Sequence, residues 1–148
     1  MEQQYTYNAN VSWIGEKKGV ATADGLPQVD VATPPEFGGH EGRWSPEHLL
    51  VSSVGSCIMT TFLAIAEASK FEFSSYDSSV VGTIERIEKR YEFTKVEVTV
   101  KLGVPDEGSI SKGERLLQKA EQNCFISNSI KAEGELKALK KSAAAARR

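Results

Sequence analysis

The chain has 148 residues, of which 40% are hydrophobic and 26% are charged, and this length and composition predict one ordinary globular domain over residues 1–148. Its 18 basic and 20 acidic residues give a formal net charge of -2 and form no basic stripe with interleaved aromatics, which argues against a nucleic-acid partner. The N-terminus has neither the basic nor the apolar stretch of a signal peptide, so we expect a cytoplasmic protein whose cysteines stay reduced.

A β-meander is predicted over residues 5–32. Residues 5–13 read YTYNANVSW and alternate aromatic or β-branched side chains with small or polar ones, while residues 15–19 and the Asp24-Gly25 pair supply turns. Residues 33–44 follow, and their two prolines and three glycines predict a loop without regular structure.

A long central helix is predicted over residues 46–69. Ser45 can cap its start, Pro46 suits the first helical position, and Glu47 complements the positive end of the helix dipole. Residues 49–66 carry no charge over 18 positions, which reaches the lower length limit of a membrane span. Six of these positions are Ser, Thr or Gly, so we expect a core helix and no membrane, with a second subunit covering what one small domain leaves exposed.

The second half of the chain is predicted to contain a hairpin, a helix and a strand. In the hairpin, Val96, Val98 and Val100 share one face while polar residues take the other. The following helix begins with the Ser-x-x-Glu spacing of a capping box at Ser111. The predicted elements are the hairpin at 76–103, the second helix at 111–123, the last strand at 129–137 and a frayed tail at 141–148.

Cys57 and Cys124 are the residues that point to chemistry. A cysteine in an apolar helix is more often a packing residue than a nucleophile. Cys57 also lies about three turns from the helix start, too far for the helix dipole to lower its pKa. A thiolate at this position would therefore need a cation from elsewhere, and the candidates are Arg43, Lys17 and Lys18.

Metal and nucleotide chemistry have little support in the sequence. The two cysteines together with His40 and His48 offer the donor types of a zinc site, but they lack the closely spaced pairs that such sites use. The chain has no phosphate-binding glycine loop and no Gly-x-Ser-x-Gly elbow. We therefore expect no metal and no cofactor, and the thiol pair remains as the candidate site.

Three segments together resemble the OsmC/Ohr family of osmotically inducible proteins and organic hydroperoxide reductases. They are PPEFGG at residues 34–39, SPEHLL at 45–50 leading to Ser56-Cys57, and CFIS at 124–127. The resemblance covers roughly residues 5–139 in the order of the chain. It implies an α+β fold built as an intertwined homodimer, with antiparallel sheets around a long buried central helix and active sites at the interface.

The resemblance also implies a mechanism and roles for individual residues. Cys57 would be the peroxidatic thiolate, Cys124 the resolving thiol that forms a disulfide with it, and an external dithiol the reductant. A glutamate at the position of Glu47 holds an arginine that stabilises the thiolate in the family, and an apolar pocket favours organic hydroperoxides. The catalytic candidates are therefore Cys57, Cys124, Glu47, Arg43 and Lys17.

The chain departs from the family pattern at two places. Phe125 stands where the family usually has proline. The family arginine lies either in the first turn, where this chain has GEKKG at residues 15–19, or farther upstream of the Pro-Glu pair than Arg43. Lys17 could supply charge to Glu47 but not the bidentate fork of a guanidinium.

We therefore expect a thiol-dependent peroxidase that reduces organic hydroperoxides and serves oxidative stress defence. One alternative is a non-catalytic OsmC-like protein that binds an apolar small molecule at the dimer interface, with both cysteines serving as packing. Another is a thiol oxidoreductase that acts on disulfides rather than on peroxides.

Overall fold

The structure, a computed structural model, describes residues 3–141. The chain forms two compact units, one ending at Leu50 and the other beginning at Val51. The fold is α+β, as predicted, and each unit contains a three-stranded sheet. The boundary between the units falls inside a continuous helix, Pro46–Ala68, which we call α1.

The N-terminal unit is built on an antiparallel meander of β1 (Asn10–Gly15), β2 (Lys18–Thr22) and β3 (Val29–Ala32), in that spatial order. The first strand begins at Asn10 rather than at residue 5. The reason is that Asn10 pairs with Thr22, where β2 ends, so earlier residues have no strand opposite them. In the predicted loop, a short 3₁₀ turn forms at Pro35–Phe37.

The C-terminal unit contains most of α1, then β4 (Ser75–Ile87), β5 (Arg90–Gly103), α2 (Ile110–Gln122) and β6 (Glu133–Lys141). β4 and β5 form a long antiparallel hairpin, whereas β6 runs parallel to β5. The prediction of antiparallel sheets was wrong for the pairing of β5 with β6 and correct for the other strand pairs. Because α2 lies between β5 and β6 in the chain, it returns the backbone to the start of β5, as parallel pairing requires.

The last strand lies four residues later than predicted at both ends. Residues 127–129, which the predicted strand includes in part, form a 3₁₀ turn, and pairing with β5 starts where Glu133 faces Lys95. Lys141, the first residue of the predicted frayed tail, is the last residue of β6. The rest of that tail, residues 142–148, lies outside the described residues.

The core of the C-terminal unit lies between the sheet, α1 and α2. The predicted inward face of β5 is buried, with Val96, Val98 and Val100 at most 2% exposed. α1 contributes one residue per turn to this core, and α2 contributes the apolar side of an amphipathic helix. The core residues from the two helices are Val54, Ile58, Phe62, Ala66, Leu116, Leu117 and Ala120.

Glycines allow α1 to approach β4 closely. A Cβ atom on Gly55 would lie 2.6 Å from Val80 Cγ2, and one on Gly82 would lie 2.5 Å from Val51 Cγ1. Both distances are far shorter than a carbon–carbon contact, so neither position accepts a side chain without movement of its neighbour. These contacts fix the height of α1 above the hairpin, and with it the position of Cys57.

α1 is buried along one face only in the single chain. Ser56, Thr60, Leu63, Ala64 and Glu67 are exposed on it, because the sheet and α2 cover the other side. The expected burial on all sides is therefore not achieved by one chain. Among the described residues, α1 is the one helix that is long enough and apolar enough to cross a membrane. In its most apolar stretch of 18 residues, 28% is buried. Length and composition of this kind are shared by core helices.

Candidate functional site

Cys57 and Cys124 come together in the C-terminal unit. Cys57 lies in the middle of α1 and is half-buried, whereas Cys124 lies two residues after the end of α2 and is 0% exposed. Both are free thiols, and each is among the causes that shift the pKa of the other. The fold therefore joins two sulfurs that are 67 residues apart in the chain.

A tight turn at residues 123–129 holds Cys124 in place. α2 ends at Gln122, and the Asn123 side chain donates to the Lys119 carbonyl at 2.8 Å, which closes the last turn of the helix. The chain then curls around Cys124, because the Ser127 N–H donates to Cys124 Sγ at 3.3 Å and the Asn128 N–H donates to the Cys124 carbonyl at 3.0 Å. The Cys124 thiol is thus fixed by the backbone that follows it.

Hydrogen bonding lowers the pKa of the Cys57 thiol. Burial by itself would raise the pKa of the Cys57 thiol, but donors on four residues outweigh it and hold the pKa below its usual value. One of these donors, the Thr61 hydroxyl, lies 3.9 Å from Cys57 Sγ. The four are the Cys124 thiol, the Ile126 N–H, the Thr61 hydroxyl and the Phe125 N–H.

The pKa of Cys124 moves in the opposite direction. Burial raises the pKa of the Cys124 thiol, and so do its hydrogen bond and its proximity to Cys57, while the donors of Ser127 only partly compensate. Cys57 is therefore the thiol that ionises first, and Cys124 keeps its proton and donates it to Cys57. This polarity suits Cys57 as a nucleophile and Cys124 as its partner.

The structure accounts for the lowered pKa of Cys57 without the cation that the sequence analysis required. Thr61, Phe125 and Ile126 were not among the residues predicted to affect the pKa of Cys57. Thr61 could have been found, since it follows Cys57 by four positions and such residues are neighbours on a helix surface. The two main-chain donors leave no signal in the sequence, because every residue except proline carries an N–H.

The predicted cations make their described contacts within the N-terminal unit. Arg43 donates to the carbonyls of Gly19 and Val31, both at 3.1 Å, and lies 3.7 Å from Asp30, so it ties the loop to β2 and β3. Lys17 Nζ donates to the Gly38 carbonyl at 3.1 Å. Each of these bonds stabilises the local backbone of the N-terminal unit.

Glu47, the remaining candidate, has a buried oxygen in need of a donor. Its Oε1 has no hydrogen-bond partner among the residues that the structure describes. A buried carboxylate oxygen left in this state costs free energy, and a guanidinium or ammonium group satisfies it best. The geometry of Glu47 therefore fits a carboxylate that receives a cationic donor.

His48 has a structural role at the start of α1. Its backbone N–H donates to Ser45 Oγ at 3.1 Å, and the Ser45 backbone N–H donates to His48 Nδ1 at 3.2 Å. The pair is a reciprocal cap in which histidine takes the place that glutamate has in a capping box. Over residues 3–141 no group of three or more His, Cys, Asp or Glu side chains is arranged to hold a metal ion.

The α+β fold and the paired thiols define the class of protein. The family model for OsmC-like protein matches residues 38–138, and the chain therefore belongs to the OsmC-like family. Among curated proteins, the chain is 22% identical over 129 residues to the uncharacterized protein YmaD of Bacillus subtilis (strain 168), covering 84% of this chain and 86% of YmaD. It is 29% identical over 83 residues to the uncharacterized protein ACIAD3023 of Acinetobacter baylyi, covering 55% and 57%.

Solved structures share the fold along nearly the whole chain. The OsmC-like protein VCA0330 of unknown function from Vibrio cholerae superposes with a TM-score of 0.82 at 22% identity, covering 92% of this chain and all of that one. An organic hydroperoxide resistance protein from Elizabethkingia anophelis gives 0.75 at 23% identity, with 96% and 99% covered. At these identities the likeness concerns the fold, and some of the proteins that share it are called organic hydroperoxide resistance proteins.

Proposed function

We propose that the protein is a cysteine peroxidase that reduces organic hydroperoxides through a Cys57–Cys124 redox cycle. The observation that carries the proposal is the thiol pair, in which the pKa of Cys57 is lowered and that of Cys124 is raised. Membership of the OsmC-like family, together with structural neighbours called organic hydroperoxide resistance proteins, supports the choice of substrate.

In the first step the Cys57 thiolate attacks one oxygen of the hydroperoxide. The O–O bond breaks, the alcohol leaves after taking up a proton, and Cys57 becomes a sulfenic acid. In the second step Cys124, as thiolate, attacks the Cys57 sulfur, and a disulfide forms as water is released. An external dithiol then reduces the disulfide, so that one hydroperoxide and one dithiol give an alcohol, water and an oxidised dithiol.

The coupling between the thiols favours this order of events. The negative charge of Cys57 is one of the causes that raise the pKa of Cys124. Oxidation of Cys57 to a neutral sulfenic acid removes that charge, so Cys124 then ionises more readily, at the stage when a thiolate is needed. Cys124, the resolving thiol, therefore stays protonated until Cys57, the peroxidatic thiol, has reacted.

A homodimer and a cytoplasmic location are part of the proposal. The small and apolar residues on the exposed face of α1 support an interface there. Glu47 Oε1, which has no hydrogen-bond partner within residues 3–141, supports a site for a cationic side chain. The cycle requires a compartment that keeps dithiols reduced, which favours the cytoplasm.

The test is dithiothreitol-driven consumption of cumene hydroperoxide. We expect catalytic consumption by the wild type and its loss, by at least about a thousandfold, in Cys57→Ser, because the nucleophile is removed. Gln118→Ala, at an exposed position of α2, serves as the control and should keep wild-type turnover. Cys124→Ser should be oxidised once and then turn over slowly.

If the wild type consumes the peroxide no faster than Cys57→Ser, the peroxidase function is excluded. The alternative function, binding of an apolar small molecule, is then favoured. If both cysteine variants lose reduction of a small disulfide while peroxide consumption is absent in all forms, the protein is a disulfide oxidoreductase.

A further inference from the structure

The two sulfurs of the thiol pair differ in how easily a reactant can reach them. Cys124 is 0% exposed and belongs to the core of the C-terminal unit, whereas Cys57 is half-buried and packs against that core from α1. Exchange between a thiol and a disulfide begins when a thiolate attacks one of the two sulfurs, and its rate depends on access to that sulfur. A reductant that enters from solvent therefore meets Cys57 first.

The turn at residues 123–129 is fixed firmly around Cys124. The Cys124 N–H donates to the Glu121 carbonyl at 3.3 Å, and the Ser127 N–H donates to Cys124 Sγ at the same distance. Three polar side chains of the turn donate to main-chain carbonyls: Asn123 to Lys119 at 2.8 Å, Asn128 to Gln122 at 3.2 Å and Ser129 to Phe125 at 2.6 Å. Attack on Cys124 would require this turn to open, whereas attack on Cys57 leaves it in place.

Ser127 also suits Cys124 as the sulfur that leaves. When a disulfide between the two cysteines is attacked at Cys57, the electron pair of the S–S bond goes to Cys124, which becomes a thiolate. The Ser127 N–H already donates to that sulfur at 3.3 Å, and a hydrogen bond to an ionised acceptor is stronger than one to a neutral acceptor. The donor is thus in place before the charge forms.

The acidity of the two thiols favours the opposite direction of attack. A thiol of lower pKa leaves faster, and Cys57 is the thiol whose pKa is lowered. The charge of Cys57 is, however, one of the causes that raise the pKa of Cys124, and this charge is absent once Cys57 is bonded to the reductant. The difference in acidity is therefore smaller during the exchange, and access decides which sulfur is attacked.

We propose that the external dithiol attacks Cys57 Sγ and not Cys124 Sγ, because the turn at residues 123–129 keeps Cys124 out of reach, and that Cys124 leaves as a thiolate held by the Ser127 N–H. The inference rests on the proposed function, which supplies the Cys57–Cys124 disulfide. Cys57 is then the sulfur that meets both external reactants, the hydroperoxide and the dithiol. Cys124 reacts with Cys57 alone.

The reduction takes place in two exchange steps. One thiolate of the dithiol forms a disulfide bond to Cys57 as the Cys57–Cys124 bond breaks, and the Cys124 thiolate takes up a proton. The second thiol of the dithiol then loses its proton and attacks the reductant's own sulfur in this mixed disulfide, so that Cys57 leaves as a thiolate. Two electrons pass from the dithiol to the protein, and the dithiol is released as a disulfide.

The experiment locates the first mixed disulfide with 2-mercaptoethanol, a monothiol that cannot complete the second step within one molecule. The Cys57–Cys124 disulfide is made with diamide, which needs no hydroperoxide, and the loss of two hydrogens confirms it. The monothiol is added for short times, and acid then stops the exchange by protonating the thiolates. Peptic digestion and mass spectrometry measure the adduct on each cysteine. We expect the adduct on Cys57 to exceed that on Cys124 by about tenfold or more.

Two controls accompany this measurement. Oxidised protein unfolded in concentrated urea should give both adducts, because access to the two sulfurs is then equal. Asn128→Ala and Gln122→Ala form a matched pair at exposed positions, since both shorten a polar side chain but only the first removes the bond to the Gln122 carbonyl. We expect Asn128→Ala to raise the share of adduct on Cys124 and Gln122→Ala to leave that share unchanged.

A folded wild type that carries the adduct mainly on Cys124, or equally on both cysteines, overturns the proposal. An unchanged share in Asn128→Ala overturns it as well, because the turn would then not control access. If diamide forms no Cys57–Cys124 disulfide, this proposal and the proposed function fail together. If the adduct lies on Cys57 but the protein consumes no hydroperoxide, the direction of reduction stands and the peroxidase function is lost.

Discussion

At the scale of single residues, the behaviour of Cys57 depends on hydrogen bonds more than on its helix. Its position in the middle of α1 gives it no benefit from the helix dipole, and its burial opposes ionisation. The donors from Thr61 and from the turn around Cys124 reverse that effect. The reactivity of this cysteine is therefore a property of the tertiary contact between α1 and the turn after α2.

Tyr76 provides a prediction on stability and pH. Its hydroxyl is buried without a hydrogen-bond partner among the described residues, and burial raises its pKa to about 12. In the unfolded chain the tyrosine hydroxyl has a pKa of about 10. The native state therefore disfavours the phenolate. The contribution that Tyr76 makes to the free energy of unfolding is present below about pH 10 and is lost as the pH rises towards 12.

Tyr76→Phe removes the unpaired hydroxyl and should leave the free energy of unfolding at neutral pH unchanged or raise it by about 1 kcal/mol. It should also reduce the loss of stability at alkaline pH. Urea unfolding at several pH values measures both effects, and Tyr7→Phe, at a tyrosine that is 90% exposed, is the control. A loss of more than about 1 kcal/mol in Tyr76→Phe would mean that the hydroxyl has a hydrogen-bond partner in the native state.

At the scale of the elements, the periodicity of hydrophobic residues predicted the features that depend on local sequence. The central helix was predicted at 46–69 and is found at Pro46–Ala68, and the valines of β5 point inward with the predicted period of two. The direction of β6 could not be predicted in this way, since a strand's alternation is the same in parallel and antiparallel pairing. Its starting residue could not be predicted either, because it depends on where β5 begins to offer partners.

The exposed face of α1 leads to a prediction about assembly. It presents Ser56, Thr60, Leu63 and Ala64 to solvent, a surface of small and apolar residues that suits close packing against a second copy. We expect the wild type to sediment as a dimer. Ala64→Arg should weaken the dimer by about a hundredfold or more, because an unpaired charge would be buried in the interface.

The matched control for assembly is Gln118→Arg, the same introduced charge at an exposed position of α2. It should leave the sedimentation coefficient unchanged, because the apolar face of α2 is already used in the core of its own chain. If Ala64→Arg and the wild type sediment alike, the exposed face of α1 is not the interface.

At the scale of the whole molecule, the fold and the site differ in how far the sequence predicts them. The resemblance to the OsmC/Ohr family correctly indicated the family and the α+β fold, which the match over residues 38–138 and the similar structures support. It also named Cys57 and Cys124 as the redox pair, which stays a prediction, and each of the two thiols is among the causes that shift the pKa of the other. The main-chain groups of Phe125 and Ile126 that lower the pKa of Cys57 could not be predicted, because every residue except proline carries an N–H.

The central claim is that these two sulfurs form one redox unit, and the mass of the protein tests it most directly. The reduced protein is treated with one equivalent of cumene hydroperoxide in the absence of reductant, and its intact mass and peptide map are recorded. We expect the loss of two hydrogens within minutes and a disulfide-linked peptide that joins Cys57 to Cys124. An unchanged mass, or a stable gain of oxygen on Cys57 with Cys124 still a free thiol, would contradict it.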